Sequence, residues 1–376
     1  MQQRSYIQAS RYIDQLIEEL CRLVPLAMKK WDEDAIHDAR VCTRRLKAAV
    51  DLLAPVTSEQ HRRPLARTLR TLRRRLGPLR DMDVMISHLQ EARYRRRHGR
   101  AAEWVVQELQ EERRRERQKF AAKVSTPQIL AQLGGWWGLR EELATKRRIL
   151  TPVLVGSLRV QLDSFAGQAE TMVAATAGAK AATTASSMPA QPDNGSHAEA
   201  GLGTDAEQSR KLEETAGETA GKTPGETLGE AETDPHALRI AGKLLRYTLE
   251  LAAHTGHALP GPVIGQFKRM QSALGLWHDY VVLSQKVMRL TLDDEIACHD
   301  RVLYEQLFAL AGLLWRQAEH QLKLFAGIWQ EQGTPVTASI REAMPLSAVA
   351  NEGDRPSPTA HFVDVRRHPA SQHTRT

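Results

Sequence analysis

Residues 37–47 read HDARVCTRRLK, and residues 236–247 read HALRIAGKLLRY. In each stretch a histidine is followed by basic residues at offsets of 3, 7 and 10: His37, Arg40, Arg44 and Lys47, then His236, Arg239, Lys243 and Arg246. At about 100° per residue these offsets fall within roughly 80° of one another, so each set forms one stripe on a helix face. Basic residues along one face of a single helix ordinarily make a solvated surface. A histidine repeated at the same offset, in sequence that has otherwise diverged, favours a shared role instead.

The repeat extends further. LGPLRD at 76–81 and LGLWHD at 274–279 share Leu-Gly-x-x-x-Asp, with Gly77 lying 40 residues after His37 and Gly275 lying 39 after His236. The chain therefore reads as two copies of one helical unit, offset by 198–199 residues. Between stripe and glycine, HRRPLARTLRTLRRRLGPLR sets Arg63, Arg67, Arg70 and Arg74 at helical spacing, and the second copy has Lys268 where the first has Arg70. Gly77 and Gly275 read as turns between helices, with Pro78 opening the next one. Asp81 and Asp279 read as caps or as partners that orient the basic groups.

Apolar residues recur at helical period and no strand-type alternation occurs, which predicts an all-α fold. Candidate helices fall at about 5–30, 34–53, 58–76, 79–96, 101–123, 136–147, 152–170, 235–254, 260–274, 277–291 and 297–331. Asp34 and Asp234 stand where N-caps belong. Ile240, Leu244, Leu245, Leu249 and Leu251 gather away from the second stripe. Trp136, Trp137, Trp277, Trp315 and Trp329 read as packing residues, as do Cys21, Cys42 and Cys298, which have neither disulfide nor zinc-ligand spacing. The expected organisation is a first helical repeat at 1–170, a disordered acidic linker rich in Ala, Gly, Thr and Glu at 171–233, a second repeat at 234–332 and a flexible tail at 333–376.

Charge is polarised along the 376 residues. The net +7 combines a segment, 37–100, with 17 Arg or Lys against 6 Asp or Glu, and a segment, 170–234, with 12 acidic against 4 basic residues. Without that −8 stretch the rest carries +15, a surplus that attracts polyanions. The N-terminal stretch lacks the apolar block of a signal peptide, and no apolar run reaches the ~20 residues of a membrane span. A cytoplasmic protein without membrane insertion is expected.

The doubled pattern H-x-x-R-x-x-x-R/K-x-x-K/R, followed by L-G-x-x-x-D and with KLLRY in the second half, resembles the CHAD family, the conserved histidine α-helical domains. The resemblance implies two four-helix bundles related by pseudo-twofold symmetry around a central basic surface or pore that binds inorganic polyphosphate. It also implies association with polyphosphate granules and their proteins. The implied binding residues are His37, Arg40, Arg44, Lys47, His236, Arg239, Lys243 and Arg246, with Arg70, Arg73 and Lys268 added from the neighbouring helices. No strand-rich ExExK segment of a CYTH-type triphosphatase occurs, so a stand-alone, non-catalytic binder with no cofactor and no metal is expected. The long linker and the Arg-rich segment 93–117 depart from the family pattern.

Two other functions compete. Net charge alone would suit a nucleic-acid-binding helical protein, although the 5% aromatic content offers few stacking platforms and no reading module stands out. The pairs His37-Asp38, His278-Asp279 and His299-Asp300 suggest a metal-dependent phosphohydrolase, but the Arg-dense surroundings of the first would repel a cation.

Overall fold

The computed structural model describes residues 2–121, 125–145, 150–185, 234–257, 259–292 and 298–344, with the side chains of 2–6 and 177–185 set aside. The described residues are helical throughout, without strands. The helices are α1 (Gln2–Pro25), α2 (Glu33–Leu52), α3 (Glu59–Leu89), α4 (Ala92–Ala121), α5 (Thr126–Leu133), α6 (Trp136–Thr145), α7 (Leu150–Ala185), α8 (Pro235–His254), α9 (Gly261–Leu290) and α10 (Arg301–Ala343). A π-helical turn, Leu26–Lys30, follows α1 and ends at Trp31, whose φ of 58° is a left-handed conformation usually left to glycine.

The helix starts follow capping chemistry. Asp32, rather than the expected Asp34, caps α2 by accepting from the Ala35 amide at 2.8 Å, and Glu33 and Asp34 add negative charge in the first turn. Asp234 caps α8 through the His236 amide at 2.8 Å, with Pro235 in the first turn.

The expected turns at Gly77-Pro78 and Gly275 do not form, because both glycines lie inside continuous helices. Burial explains this. Leu65, Leu69, Leu72, Leu76, Leu79, Met82, Met85 and Leu89 keep an unbroken apolar phase through residues 77–78, as Val263, Phe267, Met270, Leu274, Leu283 and Val287 do through 275. Packing of that stripe outweighs the hydrogen bond Pro78 cannot donate.

Helices also overrun two expected boundaries. α7 continues past residue 170 to Ala185, where Ala169 and Met172 are buried and alanine-rich sequence favours helix. α10 continues past 332 to Ala343, carried by the buried Val336, Ile340 and Met344 at four-residue spacing. The linker and tail expectations for 186–233 and 345–376 lie outside the described residues.

One core joins the two halves. Buried apolar residues form a single cluster from Ala9 to Met344, with Trp136, Phe165 and Phe325 among the largest. α1 packs on α2 and α8, where Tyr12 stacks on His254 at 4.3 Å, and α4 packs on α10. Arg100 and Asp300 join α4 to the start of α10, while Arg341 and Asp163 pair at 2.7 Å between α10 and α7. Three packing expectations are corrected: Trp137 and Trp315 are about half exposed, and Cys298 is exposed while Cys42 is buried.

Candidate functional site

The stripe-bearing helices α2 and α8 pack against each other, which brings the two stripes onto neighbouring helices. His278 of α9 marks their meeting point. Its ring centre lies 5.1 Å from that of His236, and burial, followed by the charges of Arg239, His236, Lys243 and Arg44, pushes its pKa down to about 2. Arg44 of the first stripe and Arg239 and Lys243 of the second thus act on one imidazole, which stays neutral at physiological pH. His37 stands at the outer, exposed end of the first stripe. Partial burial and the charges of Arg80, Arg44 and Arg40 hold it below the usual histidine range.

Carboxylates partner the stripes at matching places. Arg40, whose side chain is 12% exposed, lies 3.5 Å from Asp81 of α3. In the second half, burial raises the Asp279 pKa while Arg239, Lys243 and His88 oppose the rise and Asp81 adds to it. Neither aspartate is a cap, since both sit in helix interiors facing the cations. The last stripe positions pair one turn onward, Lys47 with Asp51 and Arg246 with Glu250, and Glu250 also takes Arg45 of α2 at 2.7 Å. These bonds fix the stripe ends and lock α2 to α8.

The stripe residues differ in depth. Arg239 is buried at 7% exposure, Arg44, Lys47, Lys243 and Arg246 are half-buried, and Lys243 and Arg239 press on His278. Arg70 and Lys268 are exposed and Arg73 is half-buried. Helical phase puts Arg70 on the side of α3 that carries Gly77 and Asp81, and Lys268 on the side of α9 that carries Gly275 and Asp279.

The two glycines differ in what they do. A Cβ on Gly77 would stand 2.7 Å from Arg40 Nη1, whereas one on Gly275 would meet nothing within 4 Å. Gly77 therefore makes room for the Arg40 guanidinium beside Asp81. Gly275→Ala is expected to stabilise the protein by about 0.5–1 kcal/mol without affecting anion binding. Gly77→Ala is expected to gain similar helix propensity but to swing Arg40 away from Asp81, and on the function proposed below to weaken polyanion binding several-fold. Thermal melts paired with anion titration separate the two effects, and equal binding by both variants would remove the assigned role of Gly77.

Sequence reasoning missed His278 as the junction of the stripes, having read it only as half of a possible metal pair. His88, Arg80 and Glu250 were also missed. Glu250 had a usable signal: Asp51 and Glu250 stand 199 residues apart, the offset of the stripes themselves, and each follows its last basic residue by one turn. Among the described residues no group of three or more His, Cys, Asp or Glu side chains converges as a metal-ligand set. No described helix is long and apolar enough to cross a membrane.

Fold and site together define an all-α protein whose two cationic helices meet across a shared core. The chain belongs to the CHAD domain family, whose model matches residues 11–287. Among solved structures it is similar to the CHAD domain from the plant Ricinus communis, at 16% identity over 90% of this chain and 91% of that one, with a TM-score of 0.47. It is also similar to PptA from Streptomyces chartreusis, at 16% identity over 86% of this chain and 99% of that one, with a TM-score of 0.43. No curated protein matches its sequence.

Proposed function

We propose that the two stripes bind inorganic polyphosphate without catalysing a reaction, and that this binding directs the protein to polyphosphate granules. The observation that carries the reading is the packing of α2 against α8, which sets the two stripes on neighbouring helices whose charges act together on His278 beside His236. Membership of the CHAD family supports it. Polyphosphate is a flexible chain with about one charge per phosphate and no bases, and it needs cations at several points rather than stacking platforms. Arginine forks engage phosphate oxygens in pairs, and the closely spaced cations of the site repel one another until an anion relieves them.

The test is a titration with long-chain polyphosphate at about 50 and 200 mM salt, in competition with duplex DNA. Affinity is expected to fall on the order of 10²-fold across that range, as counterion release from several contacted phosphates requires. Duplex DNA should displace the polymer poorly, and added Mg²⁺ or Mn²⁺ should elicit no phosphate release. Salt-insensitive binding, or displacement by DNA at equal phosphate concentration, would overturn the proposal. Phosphate release would convert it to a hydrolase.

A further inference from the structure

The Arg-rich part of α4 has no place in the stripe site, yet it lines a cleft of its own. Gln110, Arg113, Arg114 and Arg117 share one face of α4 at offsets of 0, 3, 4 and 7. Ile86 of α3, Gln90 just beyond its end and Glu33 of α2 line the rest of the cleft, which holds about 460 Å³. Glu33 precedes His37 by one turn, so the cleft lies beyond the outer end of the first stripe and shares none of its residues. We propose that this cleft binds a small phosphate ester of sugar-phosphate or nucleotide size.

Three observations carry the assignment. First, Arg113 is held in place. Arg113 is 6% exposed, with Nε 2.5 Å from the buried Asp83 carboxylate and Nη2 3.5 Å from Glu33. A guanidinium anchored from behind spends little entropy when it meets an anion. Second, Arg117 is backed by the Trp31 ring, 6.0 Å from the guanidinium carbon, and Trp31 is itself fixed in its left-handed conformation at the end of the π-helical turn. The Nε of Arg117 is shielded from solvent and has no hydrogen-bond acceptor among the described residues. A buried donor without an acceptor is costly, and a phosphate oxygen in the cleft supplies one.

Third, the remaining lining fits an ester better than a bare anion. Glu33 would repel a second phosphate but accepts a hydrogen bond from a hydroxyl or amino group. Gln90 and Gln110 at the rim offer both donors and acceptors, and Ile86 gives an apolar contact. The volume lies within the range of small-molecule sites. Orthophosphate and the end of a polyphosphate chain would use the arginines and leave the rest of the lining unmet.

Calorimetric titrations with AMP, ribose 5-phosphate, orthophosphate and long-chain polyphosphate test the proposal on the full chain. Wild type is expected to bind AMP or ribose 5-phosphate saturably, with a Kd below about 1 mM and more tightly than orthophosphate. Arg114→Ala and Arg117→Ala should each weaken that binding about tenfold while changing polyphosphate affinity less than about twofold. Glu33→Gln should reduce the preference for the ester over orthophosphate. Arg44→Ala/Lys243→Ala should do the reverse of the α4 variants, sparing the ester and weakening polyphosphate, so the two sites fail separately. Arg114 is exposed and pairs locally with Glu111, so Arg114→Ala keeps the test open if Arg117→Ala does not fold. Absence of saturable ester binding by wild type, or ester binding unchanged in a folded Arg114→Ala protein, overturns the proposal.

Discussion

Replacing Arg40, Arg44, Arg239 and Lys243 together with alanine is expected to lower affinity for long-chain polyphosphate by about 10³-fold. A hydrogen bond to a charged group contributes about 1.5–3 kcal/mol, but a flexible polymer re-pairs with neighbouring cations, so roughly 1 kcal/mol per residue survives. Four such losses amount to about 4 kcal/mol, or three decades in Kd. The four residues do not act alike on the fold. Arg40 and Arg239 face Asp81 and Asp279, and alanine there leaves a carboxylate without its cation. Arg44 and Lys243 add like charge at His278, and Arg44→Ala/Lys243→Ala leaves both Arg40 beside Asp81 and Arg239 as the larger influence on Asp279, so the double variant should fold closer to wild type than the quadruple one. In that double variant the His278 pKa rises toward its ordinary value, which histidine NMR titration reads directly. Wild-type affinity in a folded quadruple variant would show that the stripes are architecture and that any polyanion site lies elsewhere.

Much of this was legible in the sequence because the two stripes stand out as a repeated pattern. A stripe repeated at a 199-residue offset identified the cationic helices, and the Leu-Gly-x-x-x-Asp pair identified the helices that face them. The misreadings have one physical cause. Gly77-Pro78 and Gly275 were weighed by local propensity, which favours a break, whereas the apolar phase through Leu76, Leu79 and Met82 carries α3 straight on. Once α3 is continuous, Gly77 is a socket for Arg40 and Asp81 is a partner instead of a cap. His278 was out of reach for another reason. Its significance depends on which helices pack around α9, and nothing local to WHDY states that His236 will stand 5.1 Å from it or that the charge of Arg44, more than two hundred residues earlier, will act on it.

The same limit applies to α4, where sequence showed only a dense run of arginine. Structure divides that run by depth. Arg114 and Arg115 are exposed and pair along the helix with Glu111, while Arg113 turns inward to a buried aspartate. Residues adjacent in sequence therefore differ by several kcal/mol in what their loss costs. Charge composition cannot distinguish them, because the difference lies in desolvation rather than in charge.

Arg113→Met is accordingly expected to be the most destabilising single substitution of an arginine in the chain, by about 3–5 kcal/mol. The side chains of Arg113 and Asp83 are 7% and 3% exposed, so removing the cation strands a carboxylate in the core between α3 and α4. Burial already raises the Asp83 pKa, and Arg113 is the main influence opposing the rise. Without Arg113 the native carboxyl titrates well above its unfolded value, so the proton favours the folded state. The deficit is then largest at neutral and alkaline pH, and it shrinks as pH falls through the raised native pKa. Thermal melts at about pH 8 should show a fall in Tm on the order of 10 °C, with part of it recovered near pH 5. Asp83→Leu/Arg113→Met removes both charges and should restore most of the loss, because an apolar pair of similar volume needs no solvation. A single variant within about 1 kcal/mol of wild type would mean that water reaches Asp83. A double variant no better than the single one would mean that Arg113 supports α4 through packing rather than through its charge.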